Sequence, residues 1–216
     1  MSRTFPRRSS SHHARLGRLV VLEGMPGSGK TTTANTLAAA GYAVVGEYVT
    51  PGGITIPVPH HPHVGDDDAH QANWLLKHRH ITSASHGGPV LSDRDWLSAL
   101  AYAASLGDQA LLARRASWAY GHLALGHLAV PDAYLIVGCS PETSLARRAE
   151  RLTPDHPWST PSSLARLADF YTDPPAAIGR THPALAAELR AASWHRLPAV
   201  DLATIRQHAT SLLTTP

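Results

Sequence analysis

Apolar residues fall in short runs separated by longer stretches of helical period. Leu19, Val20, Val21 and Leu22 form one run, residues 89–93 (PVLSD) a second and residues 133–139 a third. Runs this short and this rich in β-branched side chains read as strands buried on both faces. Residues 42–47 and 194–200 give two weaker strands. Helical period fits residues 31–40, a segment from Asp67 or Asp68 to 83, then 95–106, 109–128, 142–151, 163–171, 183–192 and a last helix to 213. Gly41 closes the first of these helices, Ser140 and Pro141 supply a cap and a first-turn proline for the fifth, and Asp201 caps the last. Residues 49–65 hold Pro51, Pro57, Pro59, Pro62, Gly52, Gly53 and Gly65, too many breakers for a regular element, and predict a long loop. Strands alternating with helices predict an α/β fold, a three-layer doubly wound parallel sheet. A ligand then belongs at the carboxyl ends of the strands, where Gly24, Glu47, Asp93 and Ser140 fall.

Residues 24–31 read GMPGSGKT between the first strand and the first helix. The spacing matches the P-loop pattern GxxxxGK[ST], and the strand–loop–helix setting is the one in which backbone N–H groups and a helix N-terminus cradle a polyphosphate. Gly24, Gly27 and Gly29 permit the turn, and Ser28 and Thr32 complete the cradle. Lys30, read as an exposed loop lysine, reaches the β- and γ-phosphates, and the Thr31 hydroxyl ligates Mg²⁺. ATP or another nucleoside triphosphate, with Mg²⁺, is the implied cofactor pair. Lys30 and Lys77 are the only lysines in a chain whose positive charge is otherwise arginine.

Composition narrows the class. The length suits one α/β domain, and the net charge of +3 is modest, with Arg3, Arg7, Arg8, Arg15 and Arg18 concentrated in a start that has no acidic residue. That start reads as a disordered basic tail, with a transit peptide as the rival. The basic residues do not interleave with aromatics in a stripe, so no nucleic-acid partner is expected. No apolar run approaches membrane-spanning length, so no membrane partner is expected either. Cys139 is the sole cysteine and lies in an apolar strand, which suits a reducing, cytoplasmic setting. Seven of the fifteen histidines fall between His60 and His86, but a zinc site on His60, His61 and His63 finds no completing cysteine.

Residues 92–102 (SDRDWLSALAY) follow the second strong strand. Here the chain resembles the thymidylate kinase and deoxyribonucleoside kinase family, in which a strand ends in an acid–arginine pair and an S-x-x-A-Y-like pattern follows. The resemblance implies a P-loop kinase domain over residues 18–216, after a tail over 1–17, with a lid around 147–161. It makes Asp93 the metal-side acid, with Thr31, and Arg94 the arginine that holds reacting phosphate or substrate. Phosphoryl transfer between anions needs such fixed charge independently of any resemblance. Asp95, Ser98 and Tyr102 share a helical face beside it and are read as lining a polar substrate cavity.

Glu47 ends the weak second strand and by the same resemblance acts as general base toward the acceptor, with Tyr48 beside it. Thymidylate kinases place a phosphate-gripping arginine two positions on, where this chain has Val49. The missing cation argues for an uncharged hydroxyl acceptor rather than a nucleoside monophosphate. Gln71, Trp74 and His78 share a face of a helix similar to the substrate helix of nucleoside kinases, where a glutamine pairs with the base; Trp74 reads equally as core. In residues 144–151, which resemble the arginine lid, Arg147 and Arg151 lie on one face and can reach a common anion. The expected function is ATP-dependent phosphorylation of a hydroxyl on a nucleoside or nucleoside-like small molecule, with a homodimer allowed for. The rivals are an antibiotic or natural-product O-phosphotransferase, suggested by the Pro- and His-rich loop, a thymidylate-like monophosphate kinase, and an ATP-hydrolysing regulator.

Overall fold

The computed structural model of the chain describes residues 17–63, 65–149 and 156–215. Five strands, β1 (Leu19–Gly24), β2 (Ala43–Val45), β3 (Val90–Asp93), β4 (Ala133–Val137) and β5 (Ser193–Leu197), form one sheet in the order β2-β3-β1-β4-β5. All four pairings are parallel. Nine helices are described: α1 (Lys30–Ala39), α2 (Asp67–Ser85), α3 (Leu97–Leu106), α4 (Gln109–Ala124), α5 (Pro141–Arg148), α6 (Pro161–Thr172), α7 (Pro174–Gly179), α8 (Pro183–Leu189) and α9 (Leu202–Thr214).

The strand period of two sorts side chains into two layers. Val20 and Leu22 of β1, with Leu135 and Val137 of β4, pack under Leu37 of α1 and Ile205 and Leu212 of α9. Val21, Tyr134 and Ile136 point the other way, into the larger core made by α3, α4, α6, α7 and α8. β5 is the polar edge, with Ser193, His195 and Arg196 exposed, as an unpaired edge requires.

The main departures from the predicted elements have local causes. α7 was not expected at two successive prolines, but both occupy first-turn positions, and the Asp173 side chain caps them by accepting from Ala176 N. α4 stops at Ala124 because Gly126 turns the chain at φ 71. β2 keeps only three residues, so Glu47 lies in the loop beyond the strand rather than at its end. α5 ends at Arg148, short of the predicted 151. Asp66, rather than Asp67 or Asp68, caps α2. Gly17, in the predicted tail, donates to Ser85 O; the rest of that tail, residues 1–16, lies outside the described residues, as do Arg151 and the middle of the predicted lid.

Candidate active site

The P-loop joins the central strand β1 to α1. Gly24 has φ 121, and a Cβ there would lie 2.2 Å from Val137 O; Gly29 has φ 99 and closes against Leu202 of α9. Only glycine fits both positions. The loop is buttressed from α5 by Ser144 Oγ donating to Pro26 O at 2.8 Å and Arg147 Nη1 donating to Gly27 O at 3.0 Å. No side chain caps the first turn of α1 and no acid lies in it, so its N–H groups are left for an anion.

Lys30 corrects the expectation of an exposed loop residue. It is buried, and its Nζ donates to Gly24 O (3.1 Å), Met25 O (2.7 Å) and Ser28 Oγ (3.2 Å), so it also holds the loop together. Burial and the neighbouring Arg94 push it down to about 7. A polyphosphate beside it favours the charged ammonium, so nucleotide binding near pH 8 takes up about one proton and affinity weakens as pH rises above 7. Calorimetric titration with ATP at pH 8, in two buffers of different ionisation enthalpy, checks this; a binding heat independent of buffer rules it out.

The arginine of the SDRD segment has an unusual backbone. Arg94 adopts φ 64, the left-handed region that non-glycine residues rarely occupy. Its N–H donates to Leu22 O at 2.9 Å and its carbonyl accepts from Ser92 Oγ at 2.6 Å. These two bonds hold the turn and send the side chain back over β1, where Nη1 meets Glu23 Oε2 at 3.2 Å and Nε meets Glu47 Oε1 at 2.9 Å. Burial lowers the guanidinium's proton affinity, but Glu47 and Glu23 more than reverse it, and Arg94 is held above its ordinary range.

Glu23 was missed by the sequence reading, although a carboxylate in the otherwise apolar LVVLEG strand was a visible signal. It is fully buried and accepts from Arg94, from Ser98 Oγ at 2.6 Å, from Asp95 N at 3.2 Å and from Tyr171 OH at 2.8 Å. Four donors repay the cost of burying one carboxylate. Lys77 was also passed over as a site residue. Its Nζ is buried and donates to Asp93 O at 2.6 Å and Glu47 O at 3.3 Å, so one side chain of α2 pins the ends of β3 and of the loop after β2. Burial lowers it to about 8.

The other predicted residues divide. Asp93 is buried and its Oδ1 has no hydrogen-bond partner, which fits a carboxylate oxygen kept for a cation; Thr31 stands exposed at the start of α1. Thr32 is exposed beside it and Ser28 is buried in the loop. Asp95 borders a small cavity with Trp74, Lys77, His78 and Trp96. It precedes α3, is buried, and accepts from Leu97 N and Tyr134 OH, while burial and Glu23 raise its proton affinity. Ser98 is committed to Glu23. Tyr48 and Trp74 lie in the core with ring centroids 5.2 Å apart, and the Tyr48 hydroxyl donates to His70 Nδ1 at 2.7 Å. Gln71 is half-buried on the same helix face. Tyr102 is half-buried between the Arg115 guanidinium, 5.2 Å from its ring, and Trp158. Arg115 in turn pairs with Asp67 at the start of α2.

Comparison with solved structures places this arrangement on a known fold. Deoxyadenosine kinase from M. mycoides with bound dATP superposes with a TM-score of 0.58, at 14% identity, over 91% of this chain and 100% of that one. The same enzyme with bound dCTP gives 0.55, at 14% identity, over 89% and 97%, and with dCMP and dCDP bound as products 0.54, at 13% identity, over 89% and 97%. A search of curated protein sequences finds no match. The family model described as an AAA domain matches residues 19–152, from the first residue of β1 through the P-loop, the SDRD turn and α5. On a three-layer nucleoside kinase-like fold, the chain belongs to the AAA domain family of P-loop proteins.

Proposed function

We propose that the protein is an ATP-dependent phosphotransferase that moves the γ-phosphoryl group to a neutral hydroxyl of a nucleoside or nucleoside-like small molecule. The observation that carries the reading is the Glu23–Arg94–Glu47 array at the carboxyl ends of β1 and β3, beside Lys30 and the P-loop. The α1 N-terminus and Lys30 bind the triphosphate. Mg²⁺, held by Thr31 and Asp93, would neutralise charge on the transferring group. Glu47, the more accessible of Arg94's two partners, takes the acceptor's proton, and Arg94 absorbs charge that develops on the phosphoryl oxygens. Arg147, already on the P-loop carbonyl, and Arg151 supply further cations from the lid side.

Val49 supports an uncharged acceptor. Its side chain is buried with Val45, Ile81 and Val90, and its N–H and C=O are both bonded to the Asn73 amide. No cation reaches the cleft from that position to grip an acceptor phosphate. Tyr48, Gln71, Trp74, Ser98 and Tyr102 surround the acceptor side in this reading. The relatives by fold that are named for deoxyadenosine support a nucleoside-like acceptor. The AAA domain match favours a second reading, an ATPase that regulates a partner and uses no small acceptor.

An acceptor screen read by mass spectrometry separates the two. ADP release that depends on an added nucleoside or other alcohol, with a phosphorylated product, supports transfer; ADP release indifferent to every acceptor supports the regulator. Lys30→Ala is expected to lower turnover by roughly 10²–10³, the cost of losing one preorganised charge donor. Wild-type turnover in that variant would remove the P-loop assignment. Because Lys30 also ties three loop oxygens, the variant should lose some thermal stability as well.

A further inference from the structure

Glu23 receives four donors, and they do not come from one place. Arg94, the Asp95 N–H and Ser98 all belong to the β3–α3 turn, whereas Tyr171 belongs to α6, 148 residues along the chain. The Tyr171 ring is buried, and burial with the adjacent Glu23 holds its phenol well above the ordinary range, so it is a neutral, permanent donor. It bonds Glu23 Oε2, the same oxygen that contacts Arg94 Nη1. Removing this donor leaves Arg94 Nη1 as the one partner of Oε2 among the described residues, so that oxygen is no longer fixed from the α6 side against the guanidinium it meets.

α6 also carries information from elsewhere. It starts at Pro161, directly after the segment at residues 156–160, where Trp158 Nε1 donates to Ser105 Oγ at 3.0 Å and Thr160 Oγ1 bonds Ser163 Oγ at 2.9 Å. Arg166, one turn on, donates to Ser105 O at 2.8 Å. Twelve residues of helix form a rod of about 18 Å between that anchor and Tyr171. The end of the rod that leads to the predicted lid is therefore bolted to α3, and its other end is bonded to the carboxylate that aims Arg94.

We infer that Tyr171 is a positioning residue: by donating to Glu23 it fixes the guanidinium of Arg94 in register with α6. This rests on the phosphotransferase reading for its effect on turnover, but not for its effect on Arg94. The hydroxyl acts on the carboxylate that aims Arg94. Ground-state ATP binding, which uses the P-loop and the α1 N-terminus, does not pass through it.

The test uses Tyr171→Phe in the full chain, which keeps the ring and its packing on Phe170. The Arg94 Nε–H signal is followed by ¹⁵N NMR, with and without a non-hydrolysable ATP analogue, alongside kcat and ATP affinity. The hydroxyl bonds a charged group, so its loss should lower kcat roughly 10- to 100-fold, with ATP affinity within about twofold. The Arg94 signal should exchange faster, with and without the analogue. Site-specific 3-fluorotyrosine, which keeps the donor, should restore both, and site-specific 4-fluorophenylalanine, which fills the hydroxyl's place without donating, takes the part of Tyr171→Phe if that variant does not fold. An Arg94 signal unchanged by Tyr171→Phe overturns the inference, whatever happens to kcat, and so does a changed ATP affinity with unchanged kcat. If the wild type transfers phosphate to no acceptor, the phosphotransferase reading fails, and the Arg94 signal alone still decides the role of Tyr171.

Discussion

Arg94→Ala should lower phosphoryl transfer by roughly 10³–10⁵, the range seen when an arginine that stabilises transferring charge is removed. The same change should destabilise the fold. Glu23 is fully buried, and losing its cation leaves an uncompensated carboxylate at a cost of about 3–5 kcal/mol. Part of that cost is offset because alanine no longer needs the guanidinium's path, but the φ of 64 remains a strained position for any side chain. Urea unfolding and single-turnover assays on the folded fraction separate the two effects. Arg94→Lys sharpens the comparison, since it keeps a positive charge but cannot span Glu23 and Glu47 at once. If activity per folded molecule is unchanged in Arg94→Ala, the arginine is structural and the proposed chemistry is wrong.

Glu47→Gln is expected to cut turnover by roughly 10²–10⁴ with little change in ATP affinity, because the amide keeps the shape and loses the base. Arg94 then loses one of its two anionic partners but keeps Glu23, so its position survives better than in the converse variant. The measurement is each nucleoside against its 5′-monophosphate, with wild type and Glu47→Gln in parallel. Wild type should favour the nucleoside, since buried Val49 offers no grip on an acceptor phosphate. Faster reaction of the monophosphates, or a Glu47→Gln enzyme as fast as wild type, would point back to a nucleotide kinase.

Some of this was readable before any coordinates. Apolar runs at residues 19–22, 89–93 and 133–139 are strands because each is buried on both faces, and such runs carry their own signature. The P-loop was legible for a related reason: its geometry is local, set by glycines at fixed spacing between a strand and a helix. Caps at Ser140 and Asp201 were legible because a cap is a contact over three residues. β2 and the helix after residue 173 were misjudged where packing outweighed local preference. Two adjacent prolines look like breakers until a capping aspartate places them in a first turn.

Local sequence therefore determined the α/β order, the phosphate loop and the identity of the acid–arginine turn. Tertiary structure decided everything that depends on residues far apart in the chain: that Lys30 is buried rather than exposed, that Lys77 ties β3 to the Glu47 loop, and that Arg94 bridges Glu23 and Glu47. It also brought Tyr171 onto Glu23 across 148 residues. The physical reason is that a buried charge is tolerable only where partners converge on it from several elements. Which elements converge is fixed by the strand order β2-β3-β1-β4-β5 and by the packing that brings Tyr171 of α6 to Glu23 of β1, and neither is encoded in any window of adjacent residues.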